Sequence, residues 1–158
     1  MRYAIAPHGV FWSIQGEGHL RGQQMAFVRL AGCSVGCAGC DTDYSVHNRI
    51  EVERLVQLVA HIIPQDARDR WVWITGGEPT DHDLRPLIRE LRRGIPGVSI
   101  AVATSGKRRI IPPVDWLSVT YHGGYELAQR FGHELKLVDG LNGHSLTEPG
   151  GQLDFMQY

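Results

Sequence analysis

Between Ile50 and Ile63 the apolar residues Val52, Leu55, Val56, Val59, Ile62 and Ile63 recur three and four positions apart. That is the period of an amphipathic helix. Asn48 with Glu51 three residues on reads as its capping pair, and Pro64 as its stop. A second helix is predicted where Leu84, Leu87, Ile88 and Leu91 share one face. Arg85, Arg89, Arg92 and Arg93 lie largely off it, and the stretch from Gly94 to Gly97 ends it. Other segments read as strands: Met25–Ala31, Trp71–Thr75, the almost unbroken apolar run Val98–Thr104, Trp116–Thr120, Glu134–Val138 and Leu153–Gln157. Tyr125–Phe131 reads as a short helix. Lys107–Pro113 reads as a basic connector, and Asp139–Gly151 as a glycine-rich loop.

Strands joined by crossovers imply a parallel sheet with right-handed connections. Strongly apolar strands imply burial on both faces. The expected fold is α/β: one domain over residues 1–158, an open partial (β/α) barrel of about six mostly parallel strands with few helices. Ligands in such folds bind at the carboxyl ends of the strands. The segments leaving Met25–Ala31 and Trp71–Thr75 should therefore share one mouth.

Composition narrows the class without naming a chemistry. A chain of 158 residues with 42% hydrophobic and 21% charged residues is an ordinary globular domain. A net charge of −1 gives no global attraction to nucleic acid or to an anionic membrane. No apolar run reaches the ~20 residues that cross a bilayer. The N-terminus lacks the apolar stretch of a signal peptide, so a cytoplasmic location is expected.

The chemistry is concentrated in one loop. The chain has 3 cysteines, and all fall in Gly32-Cys33-Ser34-Val35-Gly36-Cys37-Ala38-Gly39-Cys40. Thiolates suit iron–sulfur clusters and zinc. Gly32, Gly36 and Gly39 let the backbone turn tightly enough for the thiolates to converge. Three thiolates on a four-iron cluster leave one iron for another ligand. A zinc site completed by a histidine such as His47 is the other metal reading. A second candidate is Gly76-Gly77-Glu78-Pro79, where glycines permit close backbone approach and carbonyls plus a carboxylate can accept from an ammonium. An ordinary strand-to-helix turn with Thr80 or Asp81 as cap fits that run as well.

The spacing Cys33-x3-Cys37-x2-Cys40 resembles the signature of the radical S-adenosylmethionine superfamily. Gly76-Gly77-Glu78-Pro79 resembles that superfamily's second motif. Phe11-Trp12-Ser13-Ile14-Gln15-Gly16-Glu17-Gly18 and Cys40-Asp41-Thr42-Asp43 narrow the likeness to the 7-carboxy-7-deazaguanine synthase family, in a short form. The resemblance implies a [4Fe-4S] cluster on Cys33, Cys37 and Cys40. It implies S-adenosylmethionine at Gly39, Cys40, Asp41, Gly77, Glu78 and Thr120, and magnesium at Thr42. It places a pterin, 6-carboxy-5,6,7,8-tetrahydropterin, against Ile14, Gln15, Gly16, Arg29 and Thr75. Gln15 would read the pterin edge, Arg29 would fork onto the substrate carboxylate, and Trp12 would stack on the ring or pack over the mouth. The electron donor would be a flavodoxin or ferredoxin.

Three departures stand out. Ala103-Thr104-Ser105-Gly106 replaces the family's Glu-Thr-Asn-Gly, and Thr120-Tyr121-His122 replaces its Ser-Pro-Lys, with His122 as a substitute donor. The sequence also stops at Gln157-Tyr158, where the family continues to a tail that contacts substrate. That contact would come from a second copy of the chain in a homodimer, or from Tyr158. Two further readings stay open. One is a glycyl-radical-enzyme activating protein, with the same cysteine spacing and a protein substrate. The other is a non-catalytic iron–sulfur or zinc protein.

Overall fold

Five strands run parallel and build the body of the molecule: β2 (Gln24–Leu30), β4 (Arg70–Gly76), β5 (Val98–Thr104), β6 (Trp116–Tyr121) and β8 (Glu134–Leu137). Two more precede and flank them: β1 (Arg2–Ile14) lies antiparallel to β2, and β3 (Asn48–Glu51) antiparallel to β1. The sheet order is β3-β1-β2-β4-β5-β6-β8. This is a computed structural model, describing residues 1–110, 113–138 and 156–157.

Helices α1 (Val52–Ile62) and α2 (Arg85–Gly94) cover one face of the sheet. Val28, Leu30, Val72, Ile74, Ile100, Val102, Leu117 and Val119 meet Leu55, Val59, Leu87 and Leu91 there, all buried. Each such side chain contributes roughly 1.5–3 kcal/mol on leaving water. The alternate residues point the other way. Met25, Phe27, Trp73 and Ala101 form a second, smaller cluster with Phe11, Trp71 and Trp116. The sheet is thus apolar on both faces, as its near-continuous hydrophobic strands require. No helix among the described residues is long and apolar enough to cross a membrane.

The expected open α/β sheet is present, with several elements redrawn. β1 was not expected. Its buried positions run Tyr3 to Ala6 without alternating, and its register to β2 shifts between Ile5 and Val10. Pro7, which cannot donate to a ladder, lies in that irregular stretch with His8 at φ 50°. The period-2 signal is erased there. The helix expected from Ile50 begins at Val52, because Asn48 to Glu51 pair with Ile5 to Arg2. Asn48 therefore caps nothing; its Oδ1 accepts from the Arg49 N–H at 2.7 Å.

The second helix starts at Arg85, and neither Thr80 nor Asp81 caps it, since Pro79–Asp81 form a separate 3-10 turn. Its first turn is served from β1: the fully buried Tyr3 hydroxyl donates to the Asp83 carbonyl (2.6 Å) and accepts from the Leu87 N–H (3.2 Å). Burial pushes the Tyr3 phenol up to about 12. Tyr125–Phe131 is irregular rather than helical up to the start of β7 (Phe131–Gly132). β9 (Met156–Gln157) pairs with β7 instead of joining the main sheet. The expected loop at 139–151 lies outside the described residues.

Candidate active site

The inner face of the sheet is graded in register. Its lowest row is apolar: Phe27 pairs with Trp73, Trp73 with Ala101, and Ala101 with Trp116. Phe11 stacks on Phe27 at 4.9 Å with planes 3° apart. One step toward the strand ends come Arg29 beside Thr75, then Ala103, Ser118 and Glu134. A further step up, Thr120 pairs with Lys136. Above this lies a cavity of about 750 Å³, near the top of the usual range for small-molecule sites, roughly 300–1,000 Å³.

β1, second from one end of the sheet order, and β8, at the other end, both line the cavity, so the sheet wraps around it. The β1–β2 loop ties the wrapped edges together. Glu17 accepts from the Lys136 ammonium at 3.0 Å, and the His19 N–H donates to Glu134 Oε2 at 2.9 Å. Gly18 sits between them at φ +67°, where a Cβ would fall 2.4 Å from that carboxylate. The left-handed φ favours glycine there, while the Glu134 carboxylate, the end of a flexible side chain, could give way.

Fourteen of the residues singled out in the sequence line this cavity: Cys33, Cys37, Cys40, Gly39, Asp41, Thr42, Gly77, Glu78, Thr120, Ile14, Gln15, Gly16, Arg29 and Thr75; Tyr158 lies outside the described residues. The cysteine loop leaves β2, and Gly76-Gly77-Glu78 closes β4, so parallel pairing puts both at the same strand ends. They touch backbone to backbone. The Gly77 N–H donates to the Leu30 carbonyl (2.9 Å) and the Glu78 N–H to the Gly32 carbonyl (3.0 Å). A Cβ on Gly77 would lie 1.8 Å from the Gly32 oxygen. The glycine is required by this approach.

The other shoulder of the cysteine loop is pinned at Ser34. Its N–H and hydroxyl donate to Asp81 at 2.7 and 2.8 Å, and the Lys107 ammonium donates to its carbonyl at 2.8 Å. The Arg108 guanidinium contacts Asp81 as well. The basic connector is thus a brace for the loop.

None of the three cysteines is in a disulfide; Cys33 and Cys37 are half-buried and Cys40 is exposed. Gly32, Gly36 and Gly39 have φ of +87°, +65° and +74° around them. No three His, Cys, Asp or Glu side chains among the described residues gather closely enough for a single ion. A polynuclear cluster spaces its thiolates more widely than one ion does, and soft thiolates on a glycine-jointed loop facing a cavity fit that group. His47 does not line the cavity; its N–H pairs with the Ile5 carbonyl.

Three side chains behave differently from expectation. Glu78 is only 1% exposed. Its Oε1 accepts from the Thr80 N–H and hydroxyl and from the Thr104 hydroxyl (2.9, 2.6 and 2.6 Å), and its Oε2 from the Ser105 N–H (2.8 Å). The carboxylate welds the ends of β4 and β5 together. Gln15, 6% exposed, gives its side-chain oxygen to the Glu17 N–H at 3.2 Å, leaving its amide NH2 for a ligand. Trp12 packs with the helix-covered core, and Phe11 holds the cavity position instead. Alternation about the β1 register decides this, since Phe11 and Ser13 share a face that Trp12 does not.

Arg29 carries the clearest charge signal. Its guanidinium lies 5.1 Å from the Phe11 ring centroid, and no carboxylate among the described residues pairs with it. A cation held over an aromatic face in a cavity wall is poised for an anionic ligand.

His122, on the rim, has a buried Nδ1 without a hydrogen-bond partner among the described residues. Burial pulls its pKa down; Glu78 opposes that and Lys136 reinforces it. The neighbouring Tyr125 hydroxyl donates to the Ser105 carbonyl at 2.8 Å and accepts from the His122 N–H at 3.3 Å. Its phenol is pushed up to about 12, chiefly by burial.

Sequence reasoning passed over Phe11, Trp73, Lys136 and Glu17 as cavity residues. The alternation Glu134, Lys136 against Leu135, Leu137 was the available signal for Lys136.

No family model matches the chain. It is 34% identical over 153 residues to 7-carboxy-7-deazaguanine synthase of Escherichia coli (strain K12), an alignment covering 80% of this chain and 66% of that protein. The chain thus spans just under two thirds of that relative's length. With the Burkholderia multivorans protein of the same name it shares 30% over 172 residues, 98% of this chain and 80% of the other. The crystal structure of QueE from Escherichia coli superposes with a TM-score of 0.72 at 32% identity, over 88% of this chain and 72% of that one. Sequence and fold agree along most of the chain, which belongs to the 7-carboxy-7-deazaguanine synthase family.

Proposed function

We propose that the chain is a radical S-adenosylmethionine enzyme that contracts 6-carboxy-5,6,7,8-tetrahydropterin to 7-carboxy-7-deazaguanine, a carbon–nitrogen lyase step in queuosine and deazapurine formation. The observation that carries this is the common cavity. Three cysteines edge it, an arginine without a carboxylate partner among the described residues stands in its wall, and an aromatic floor suits a flat ring.

Cys33, Cys37 and Cys40 would hold three irons of a [4Fe-4S] cluster. Together with S-adenosylmethionine, such a cluster would supply hydrogen-atom abstraction from the substrate by a 5′-deoxyadenosyl radical. The chain's own residues bind and orient. Gly39, Cys40, Asp41, Gly77 and Thr120 would line the S-adenosylmethionine subsite. Glu78 fixes the strand ends there, and Oε2, with a single donor among the described residues, keeps capacity for the methionine ammonium. Arg29 would fork onto the pterin carboxylate, with Thr75 beside it in register. Ile14, Gly16 and the Gln15 amide would approach the ring from the β1–β2 loop. The Thr42 hydroxyl, now donating to Asp41 at 3.2 Å, would turn its oxygen to magnesium. A flavodoxin or ferredoxin would deliver the electron.

The test is anaerobic reconstitution with iron and sulfide, then incubation with dithionite, S-adenosylmethionine, magnesium and the carboxytetrahydropterin. Four irons per chain, with 5′-deoxyadenosine and the deazaguanine formed together, are expected. Zinc uptake without cleavage of S-adenosylmethionine would refute the enzyme. Cleavage that depends on a protein partner instead of the pterin would refute the substrate.

A further inference from the structure

Two opposite charges meet in the cavity wall where the proposed reaction leaves them unused. Lys136 of β8 and Glu17 of the β1–β2 loop both line the cavity, 3.0 Å apart. The lysine side chain is 22% exposed and the glutamate 74%. So open a pair adds little to stability. The lysine ammonium lies 5.8 Å from the centroid of the Trp73 ring, which belongs to the aromatic floor.

We propose that Glu17 and Lys136 are the residues that select the 2-amino-4-oxo edge of the heterocycle; this rests on the pterin reading of the site. That edge presents an acceptor, O4, beside two donors, N3–H and the 2-amino group. The ion pair presents the complement in the same order, a donor beside an acceptor. An ammonium has three protons, so Lys136 can keep Glu17 and still donate to O4. A carboxylate has two oxygens, so Glu17 accepts from N3–H and the 2-amino N–H as a fork.

The loop is built to hold Glu17 in place. Gln15 Oε1 accepts from the Glu17 N–H, so the residue expected to read this edge instead positions the one that does. On the other side Gly18 lies against Glu134, which also takes the His19 N–H. Arg29 completes the arrangement from β2, separated from β8 by three strands in the sheet order. A pterin with its edge at Glu17 and Lys136 directs its carboxylate, at the opposite end of the ring, toward that arginine.

The test uses two ligands that differ only at position 2: 6-carboxypterin and its 2,4-dioxo counterpart, 6-carboxylumazine. Both are titrated by pteridine fluorescence into the cluster-reconstituted chain with S-adenosylmethionine present. The wild type is expected to favour the 2-amino ligand by about tenfold or more, the worth of a hydrogen bond to a charged group. In Glu17→Gln that ratio falls to near one, because a carboxamide can also donate to the 2-oxo group. Lys136→Met weakens both ligands about equally, roughly tenfold, since both carry O4; Lys136→Arg restores most of it.

A wild-type ratio kept in Glu17→Gln overturns the inference, as does unaltered affinity in Lys136→Met. Equal binding of the two ligands by the wild type overturns it while leaving the pterin site standing; binding of neither overturns the site itself. Should Lys136→Met lose its cluster, the Glu17→Gln ratio decides alone, because that exchange is isosteric and exposed.

Discussion

Gly77→Ala puts the join between the cysteine loop and β4 under direct strain. The added methyl would lie 1.8 Å from the Gly32 carbonyl oxygen, 2.6 Å from its carbon and 3.1 Å from Cys33 Cβ. Real Cβ atoms do not come within 3.0 Å, and these neighbours are backbone, so one chain must recede by more than 1 Å. The Glu78 N–H bond to the Gly32 carbonyl, 3.0 Å long, cannot survive that shift. Leaving a buried donor unpaired costs about 1–3 kcal/mol, and overpacking adds about 1–3 kcal/mol. The expected destabilisation is roughly 3 kcal/mol. Gly39→Ala is the matched control: its φ is +74°, and nothing lies within 4 Å of the position. Left-handed strain alone costs it roughly 1–2 kcal/mol. Urea unfolding of the apo chain gives the two stabilities, and iron per chain after reconstitution reports whether Cys33 still aligns. Gly77→Ala should lose more on both measures. Equal losses in the two variants, or four irons retained in Gly77→Ala at wild-type stability, would refute the claim that this contact sets the loop.

Tyr3→Phe removes a hydroxyl that bridges the Asp83 carbonyl and the Leu87 N–H; a loss of about 1–3 kcal/mol in urea unfolding is expected, and no loss would show that α2 is capped otherwise. Arg29→Met should weaken 6-carboxypterin binding about tenfold to a hundredfold while stability changes by only ~1 kcal/mol, since the arginine's contact is the Phe11 face. Unchanged affinity would remove Arg29 from the carboxylate site. His122 is held below its ordinary pKa chiefly by burial, so the unfolded chain binds the proton more readily. Its contribution to stability is therefore present above about pH 6.5 and is lost as the pH falls below it. His122→Gln should flatten the fall in urea midpoint between pH 7.5 and 5.5; identical slopes would refute burial as the cause.

The cysteine loop, the Gly-Gly-Glu-Pro turn, the parallel strands and the apolar faces of both helices are legible in the chain because each depends on neighbours a few residues away. Thiolate spacing, glycine φ and side-chain periodicity are local quantities. Where long-range pairing competes, local reading fails: Ile50 fits a helical stripe but pairs with Tyr3 in a ladder, and the bulge near Pro7 hides β1. The tertiary structure alone decided that Glu78 turns into the wall and that Phe11, not Trp12, faces the cavity. It alone joined Glu17 to Lys136 across the wrapped sheet. Those outcomes depend on strand register and sheet curvature, which are set by the packing of the whole sheet and leave no mark at any one position in the sequence.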